Sequence, residues 1–77
     1  MNSALTDAVV SVVAAQNIVV VKTLSGMANA LAVCIDSLEH EHIVGSVAGD
    51  DTILIVSQND SEASKLEEHL KEVFNCR

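Results

Sequence analysis

The stretch IVGSVAGDDTILIVS, residues 43–57, decides the fold of this 77-residue chain. Apolar runs that begin at Ile43 and Ile53 flank the polar segment Gly49-Asp50-Asp51. β-branched residues on both sides of a Gly-Asp turn predict two antiparallel strands joined as a hairpin. The second run is apolar at every position from Ile53 to Val56, so both of its faces are expected to be buried, one of them by another subunit.

A second pair of strands is predicted upstream of this hairpin. Val9 to Val13 and Ile18 to Val21 are two β-branched runs, and the few residues between them suffice only for a short turn. Residues 1–7 are polar and carry little pattern, so we interpret them as a frayed start or the remnant of a linker. Residues 8–77 are predicted to form a single small domain.

Two helices are predicted between and after the strand pairs. From about Met27 to Leu38 the chain is apolar nearly all round, and Ser25 stands where it can cap the helix start. A helix without a polar face is buried on more than one side. The second helix is predicted to begin at Asp60 or Ser61, with Glu and Lys on its outer face.

This order of elements predicts an α+β fold. Strand, strand, helix, strand, strand, helix (ββαββα) gives a two-layer sandwich, in which two helices cover one face of a four-stranded antiparallel-type sheet. The core of so short a chain is thin, and Phe74 is its only aromatic residue. Cys34 and Cys76 allow one disulfide at most, so self-association is the expected supplement to stability.

The charge balance restricts the partners of the chain. Four basic against eleven acidic residues give a formal charge of −7, which repels phosphate backbones, so the chain is not expected to bind nucleic acid by itself. No signal peptide is recognisable and no apolar run approaches the roughly 20 residues that span a bilayer. A cytoplasmic protein without a membrane partner is therefore expected.

Carboxylates and an amide are the candidates for a binding site. Asn29 and Asp36 are seven residues apart and project from one face of the first predicted helix, although Asp36 alone could equally be a helix-end acid that faces solvent. Asp50 and Asp51 allow three interpretations: ordinary turn residues, metal ligands, or partners of a guanidinium group. Metal binding is the less favoured interpretation. Paired aspartates that bind metal in nucleotidyl-transfer sites have basic residues or a phosphate-binding glycine loop beside them, and the sequence shows neither here.

The histidines and other polar residues predict no catalytic or metal centre. His40 and His42 flank Glu41 in a predicted loop, but a third metal ligand is missing from the pattern, which favours a solvated loop. No nucleophile is paired with a base. The chain is therefore predicted to be neither an enzyme nor a metalloprotein, and no cofactor is expected.

Three segments together resemble one known family. They are VVKTLSGMANALA at residues 20–32, IDSL at 35–38 and VGSVAGDDTIL at 44–54. In this order and at this spacing they are similar to the C-terminal domain of bacterial arginine repressors, and the resemblance runs from about Val9 to Phe74. Two positions depart from the usual family pattern: Ser25 stands where Pro is common, and Asn29 stands where some members have Gln.

The resemblance implies a ligand and an assembly. Such domains form trimers, and two trimers pair into hexamers with L-arginine, the corepressor, bound at the trimer–trimer interface. By position, Asp50 corresponds to the principal guanidinium ligand and Asp51 to its neighbour. The remaining implied contacts are Asn29, Ala32 and Asp36, at the amino-acid end of the ligand, and Ser46 and Ala48, which line the pocket.

The resemblance also implies that, in such a regulator of arginine metabolism, DNA binding and arginine sensing belong to different domains. Contacts with operator DNA come from an N-terminal winged helix-turn-helix domain, whose pattern residues 1–77 do not contain. The alternative function is a structural trimerisation module without ligand binding. The two-layer architecture is also similar to that of pterin-dehydratase-like enzymes, but His40, His42 and His69 show no spacing that predicts a catalytic cluster.

Overall fold

A computed structural model describes residues 3–38 and 41–75. Seven elements follow one another along the chain: α1 (Ser3–Asp7), β1 (Val9–Ala15), β2 (Ile18–Thr23), α2 (Ala28–Asp36), β3 (Ile43–Ala48), β4 (Thr52–Ser57) and α3 (Asp60–Val73). All strand pairs are antiparallel, and the sheet order is β1-β2-β4-β3. The predicted α+β fold is confirmed, and residues 3–7, for which the sequence showed no pattern, add the short helix α1.

One face of the sheet carries the core. Val19 and Val21 of β2 pair with Ile55 and Ile53 of β4, and all four side chains are fully buried. Since side chains alternate along a strand, these residues point to the same face. Both long helices pack on that face, as predicted. Their buried residues are Ala28, Leu31 and Ile35 of α2 and Ala63, Leu66 and Leu70 of α3.

The opposite face of the sheet is apolar and open. Val13, Val20, Leu54 and Val47 are successive register partners, one from each strand, so they form a row across the whole sheet. We call them the open-face row. Val13 is 52% exposed, Val47 66% and Leu54 38%. The apolar character of both faces of β4 is thus confirmed, while the second subunit expected on this face stays a prediction.

The two long helices begin differently. Asn59 caps α3, because its side chain accepts a 2.8 Å hydrogen bond from the Glu62 amide. Met27 is the N-cap residue of α2 and makes no side-chain cap bond, so the prediction that Ser25 caps this helix was wrong. The Ser25 hydroxyl donates instead to a carboxylate of the β3–β4 turn, Asp50 Oδ2, at 3.1 Å.

This difference predicts unequal effects of two alanine substitutions on stability. Asn59→Ala removes a capping acceptor and is expected to lower the free energy of unfolding by about 1 kcal/mol. Ser25→Ala removes an exposed side-chain bond and is expected to cost no more than about 0.5 kcal/mol. Urea unfolding of both variants at one protein concentration checks this. An equal loss in the two variants would mean that Ser25 does cap α2 in solution.

Candidate functional site

The backbone of the β3–β4 turn is fixed against the start of α2. The Gly49 amide donates to the Thr52 carbonyl at 2.8 Å and closes the turn. The Asp50 carbonyl accepts hydrogen bonds from the amides of Gly26, at 3.1 Å, and Ala28, at 3.2 Å. The turn and the helix start therefore form one unit, although they are more than twenty residues apart in the sequence.

The side chain of Asp50 is exposed, and a neutral group orients it. Ser25 donates its hydroxyl hydrogen to Oδ2 of this carboxylate. A carboxylate oxygen has two lone pairs, so Asp50 can accept further hydrogen bonds while it keeps this one. The carboxylate is thus held in place and still available to a donor from outside the chain.

Asp51 lies in a different environment, because a cation is beside it. The Thr52 hydroxyl donates to Asp51 Oδ1 at 2.9 Å, and Lys22 Nζ donates to Thr52 Oγ1 at 2.9 Å. Lys22 Nζ also lies 3.6 Å from Asp51 Oδ2. The Thr52 hydrogen bond first, and the Lys22 charge second, lower the pKa of Asp51 below its ordinary value.

The α2 residues implied by the resemblance lie on one side of that helix. Asn29 follows Ala28, whose amide meets the Asp50 carbonyl, so the structure brings Asn29 to the turn. Asp36 ends the same helix, roughly 10 Å farther along its axis at 1.5 Å per residue. Asn29 and Asp36 are exposed, and Ala32 between them is half-buried against the core. Asp36 therefore faces solvent in a single chain, as the simpler interpretation had it.

The two implied pocket residues of β3 lie on the helix-covered face of the sheet. Ser46 pairs with Ile55 and Ala48 pairs with Ile53, and both isoleucines are buried under the helices. Ala48 is half-buried, whereas Ser46 is exposed, because β3 is an edge strand. The hydrogen bonds thus join the β3–β4 turn to the start of α2, beside Asn29, while Asp36 lies at the far end of that helix; most of the predicted site residues are exposed.

Sequence reasoning missed three residues at this corner: Lys22, Thr52 and Ser25. The statement that no basic residue stands beside Asp50 and Asp51 was wrong, because Lys22 contacts Asp51. Lys22 and Thr52 are register partners in the pairing of β2 with β4. Only the strand register places this lysine at the turn, and adjacent strands of a sheet can be far apart in sequence.

A separate cleft of about 220 Å³ lies between the β3–β4 pair and α3, away from the turn. It brings His42 and His69 to one place, which their spacing did not predict. His42 Nε2 is 3.8 Å from Glu62 Oε2. Among residues 3–38 and 41–75 there is no group of three side chains that could hold a metal ion. His40, the other member of the possible metal pair, lies outside the described residues.

The structure also bears on the two cysteines and on the expected absence of a membrane span. Cys34 is a half-buried free thiol, and Cys76 lies outside the described residues. In the part of the chain that the structure describes, no helix is long and apolar enough to cross a membrane.

Comparison with known proteins gives one consistent result. A profile described as "Arginine repressor, C-terminal domain" matches residues 5–72. The chain is 54% identical over 59 residues to the arginine repressor of Acetivibrio thermocellus, which covers 77% of this chain and 39% of that protein. It is 51% identical over 71 residues to the arginine repressor of Ruminiclostridium cellulolyticum, covering 92% of this chain and 45% of that protein. The chain therefore spans less than half the length of these relatives.

The environment of Asp51 predicts a pH dependence. A carboxyl whose pKa is lowered in the folded state stabilises the fold above its unfolded pKa, and the contribution is lost as pH falls through the lowered pKa. The ordinary value is 3.8, so the loss occurs below about pH 4. Thr52→Val is expected to raise the pKa of Asp51 more than Lys22→Met does, in a carboxyl ¹³C NMR titration.

A matched substitution serves as the control for this titration. Lys65→Met also removes one positive charge, but Lys65 pairs with Glu62 of α3 and not with the turn. It is expected to leave the titration of Asp51 unchanged. An unaltered Asp51 pKa in Thr52→Val would contradict the hydrogen-bond assignment.

Proposed function

The chain belongs to the family of the arginine repressor C-terminal domain, and from that premise we propose that it binds L-arginine and assembles with copies of itself. In this proposal it is the sensing and hexamerisation domain of an arginine-dependent transcriptional regulator of arginine metabolism. L-arginine acts as the corepressor at the interface between two trimers. Contacts with operator DNA are made by an N-terminal domain of such a regulator.

One observation carries the ligand assignment: an exposed carboxylate, Asp50, is oriented by Ser25 on a turn that is fixed to the start of α2. The planar guanidinium group of arginine presents paired N–H donors that match the two oxygens of a carboxylate. We assign Asp50 as the principal guanidinium ligand and Asp51 as its neighbour. Asn29, Ala32 and Asp36 are assigned to the amino-acid end, with Ser46 and Ala48 along the pocket wall.

The exposure of these residues supports a site that is shared between subunits. Ligand pockets enclose most of the ligand surface, and a single chain offers only an open corner here. A second copy that faces this corner would close it. Carboxylates of both copies would then repel each other, and a bound cation would offset the repulsion. L-arginine would therefore favour the hexamer, because it binds the assembled state.

The open face of the sheet supports the trimer within this assembly. The open-face row crosses all four strands and is apolar throughout. A contiguous apolar patch on a soluble domain marks an interaction surface more often than it is left in water. We assign this face to the contacts within the trimer. The row itself contains no charged group that a ligand would have to neutralise, although Lys22, two residues after Val20, projects from the same face beside it.

The same apolar face would also serve a structural trimerisation module without ligand binding. The two functions differ only at the turn, where the structural module has no use for an oriented Asp50 carboxylate. Binding of L-arginine therefore separates them.

The ligand assignment is tested by neutralising Asp50. The wild-type chain is expected to bind L-arginine in a calorimetric titration and to shift toward hexamers in sedimentation velocity when L-arginine is added. Asp50→Asn replaces a charge-assisted bond by a neutral one and is expected to weaken binding at least tenfold. No heat and no change in sedimentation of the wild-type chain would favour the structural module.

A charge-matched control accompanies this substitution. Glu68→Gln removes the same charge from an exposed position of α3, away from the turn. It is expected to bind L-arginine as the wild-type chain does. Equal weakening in Glu68→Gln would mean that net charge, and not the Asp50 carboxylate, governs binding.

The trimer assignment is tested in the middle of the open-face row. Leu54→Glu places a charge on the uncovered face and leaves the helix-covered core unchanged, since Leu54 is not part of that core. Burial of a carboxylate in an apolar contact is costly even with Lys22 as a diagonal neighbour, so the variant is expected to sediment as a monomer with an unchanged circular dichroism spectrum. Ser64→Glu, on the exposed side of α3, is the control and is expected to keep the wild-type assembly. A trimeric Leu54→Glu would overturn the assignment.

A further inference from the structure

We infer that Lys22 is an internal cation that competes with the ligand for Asp51 and thereby sets the affinity of the site for cationic ligands. The inference rests on the proposed function of the β3–β4 turn. It concerns a residue that belongs to β2 and that was not among the predicted site residues.

The position of Lys22 is defined by two contacts and by the sheet. Its Nζ donates to Thr52 Oγ1 at 2.9 Å and lies 3.6 Å from Asp51 Oδ2. The Lys22 and Thr52 backbones are paired across β2 and β4 at the strand ends next to the turn, and Lys22 projects from the open face, on the same side as Val20. The Thr52 hydroxyl in turn donates to Asp51 Oδ1, which joins all three side chains in one network.

This network gives the two carboxylates of the turn different charge environments. Asp51 has a cation within the subunit, whereas the side-chain partner of Asp50 is the neutral hydroxyl of Ser25. Each subunit therefore offers one compensated and one uncompensated carboxylate at the same corner. In this inference a ligand cation is directed to Asp50, and the Lys22 ammonium group beside the neighbouring Asp51 repels it.

The ion pair is weak enough to be displaced. The Lys22 and Asp51 side chains are 46% and 52% exposed, and pairs exposed to this degree contribute little to stability. A lysine side chain is a flexible four-carbon stem with a point charge at its end, so the ammonium group can move while the strand stays in place. Lys22 thus opposes ligand binding without being required for the fold.

The expected magnitude follows from Coulomb's law. In water, a like charge at roughly 7 Å changes a dissociation constant about threefold at low ionic strength. Salt screens such an interaction over about 10 Å at 0.1 M. The effect of Lys22 should therefore be modest, favourable when the charge is removed, and reduced by salt.

The experiment is a calorimetric titration of L-arginine into the wild-type chain and three variants at low and at high salt. Lys22→Met is expected to bind about threefold more tightly than wild type at low salt, with a smaller gain at high salt. Lys22→Arg keeps the charge and is expected to abolish the gain. Lys65→Met, which removes the same charge from α3, is expected to show no gain.

Each outcome bears on the inference separately from the proposed function. If wild type binds L-arginine and Lys22→Met binds equally well, Lys22 does not compete with the ligand. If Lys22→Met binds more weakly while its circular dichroism is unchanged, Lys22 positions Asp51 for the ligand, which also overturns the inference. If wild type shows no binding at all, the proposed function fails, and the inference that rests on it fails too.

Discussion

The sheet of this chain has two apolar faces, and its helices cover only one of them. α2 and α3 pack on the face that carries Val19, Val21, Ile53 and Ile55. The other face presents the open-face row to solvent. A domain of 77 residues has too thin a core to leave so much apolar surface in water without cost. This uncovered face is the physical basis of the self-association that we propose.

The β3–β4 turn lies outside this apolar layer, and there a different interaction dominates. The turn is held to α2 by backbone hydrogen bonds to the Asp50 carbonyl, so its side chains are free of any role in the core. Asp50 and Asp51 bring two carboxylates to one exposed corner of an acidic chain. Two such corners facing each other would repel unless a cation lies between them. The architecture thus separates an apolar surface from an acidic corner, and in the proposed assembly only contacts at the acidic corner would depend on a bound cation.

Much of the fold could be predicted from sequence because it depends on local patterns. β4 was predicted from the apolar run Ile53 to Val56 after the Gly-Asp turn, and α3 from a helical apolar period that begins at Asp60 or Ser61; the structure has them at Thr52–Ser57 and Asp60–Val73. Ser25 was assigned wrongly for the opposite reason. Its hydroxyl had two possible partners: the free amides of the local helix start, from which it could accept, and a carboxylate 25 positions away, to which it could donate. Only the folded chain shows that the distant carboxylate is used. Lys22 was overlooked for the same reason, because its position at the turn depends on the register between β2 and β4.

A ligand shifts the equilibrium between separate and assembled chains only if its affinity differs between these two states. The candidate site is where such a difference would arise. In one subunit the corner around Asp50 is open, and a guanidinium bound there would stay largely hydrated. If a second copy closed the corner, as we propose, water would be excluded and the same carboxylate would bind the cation more strongly, because the effective dielectric constant would fall. In the inference drawn above, Lys22 would repel the ligand cation in both states, and the Asp51 carboxylate beside it would partly compensate its charge. The proposed coupling between ligand and assembly would therefore depend mainly on Asp50, the carboxylate whose side-chain partner carries no charge.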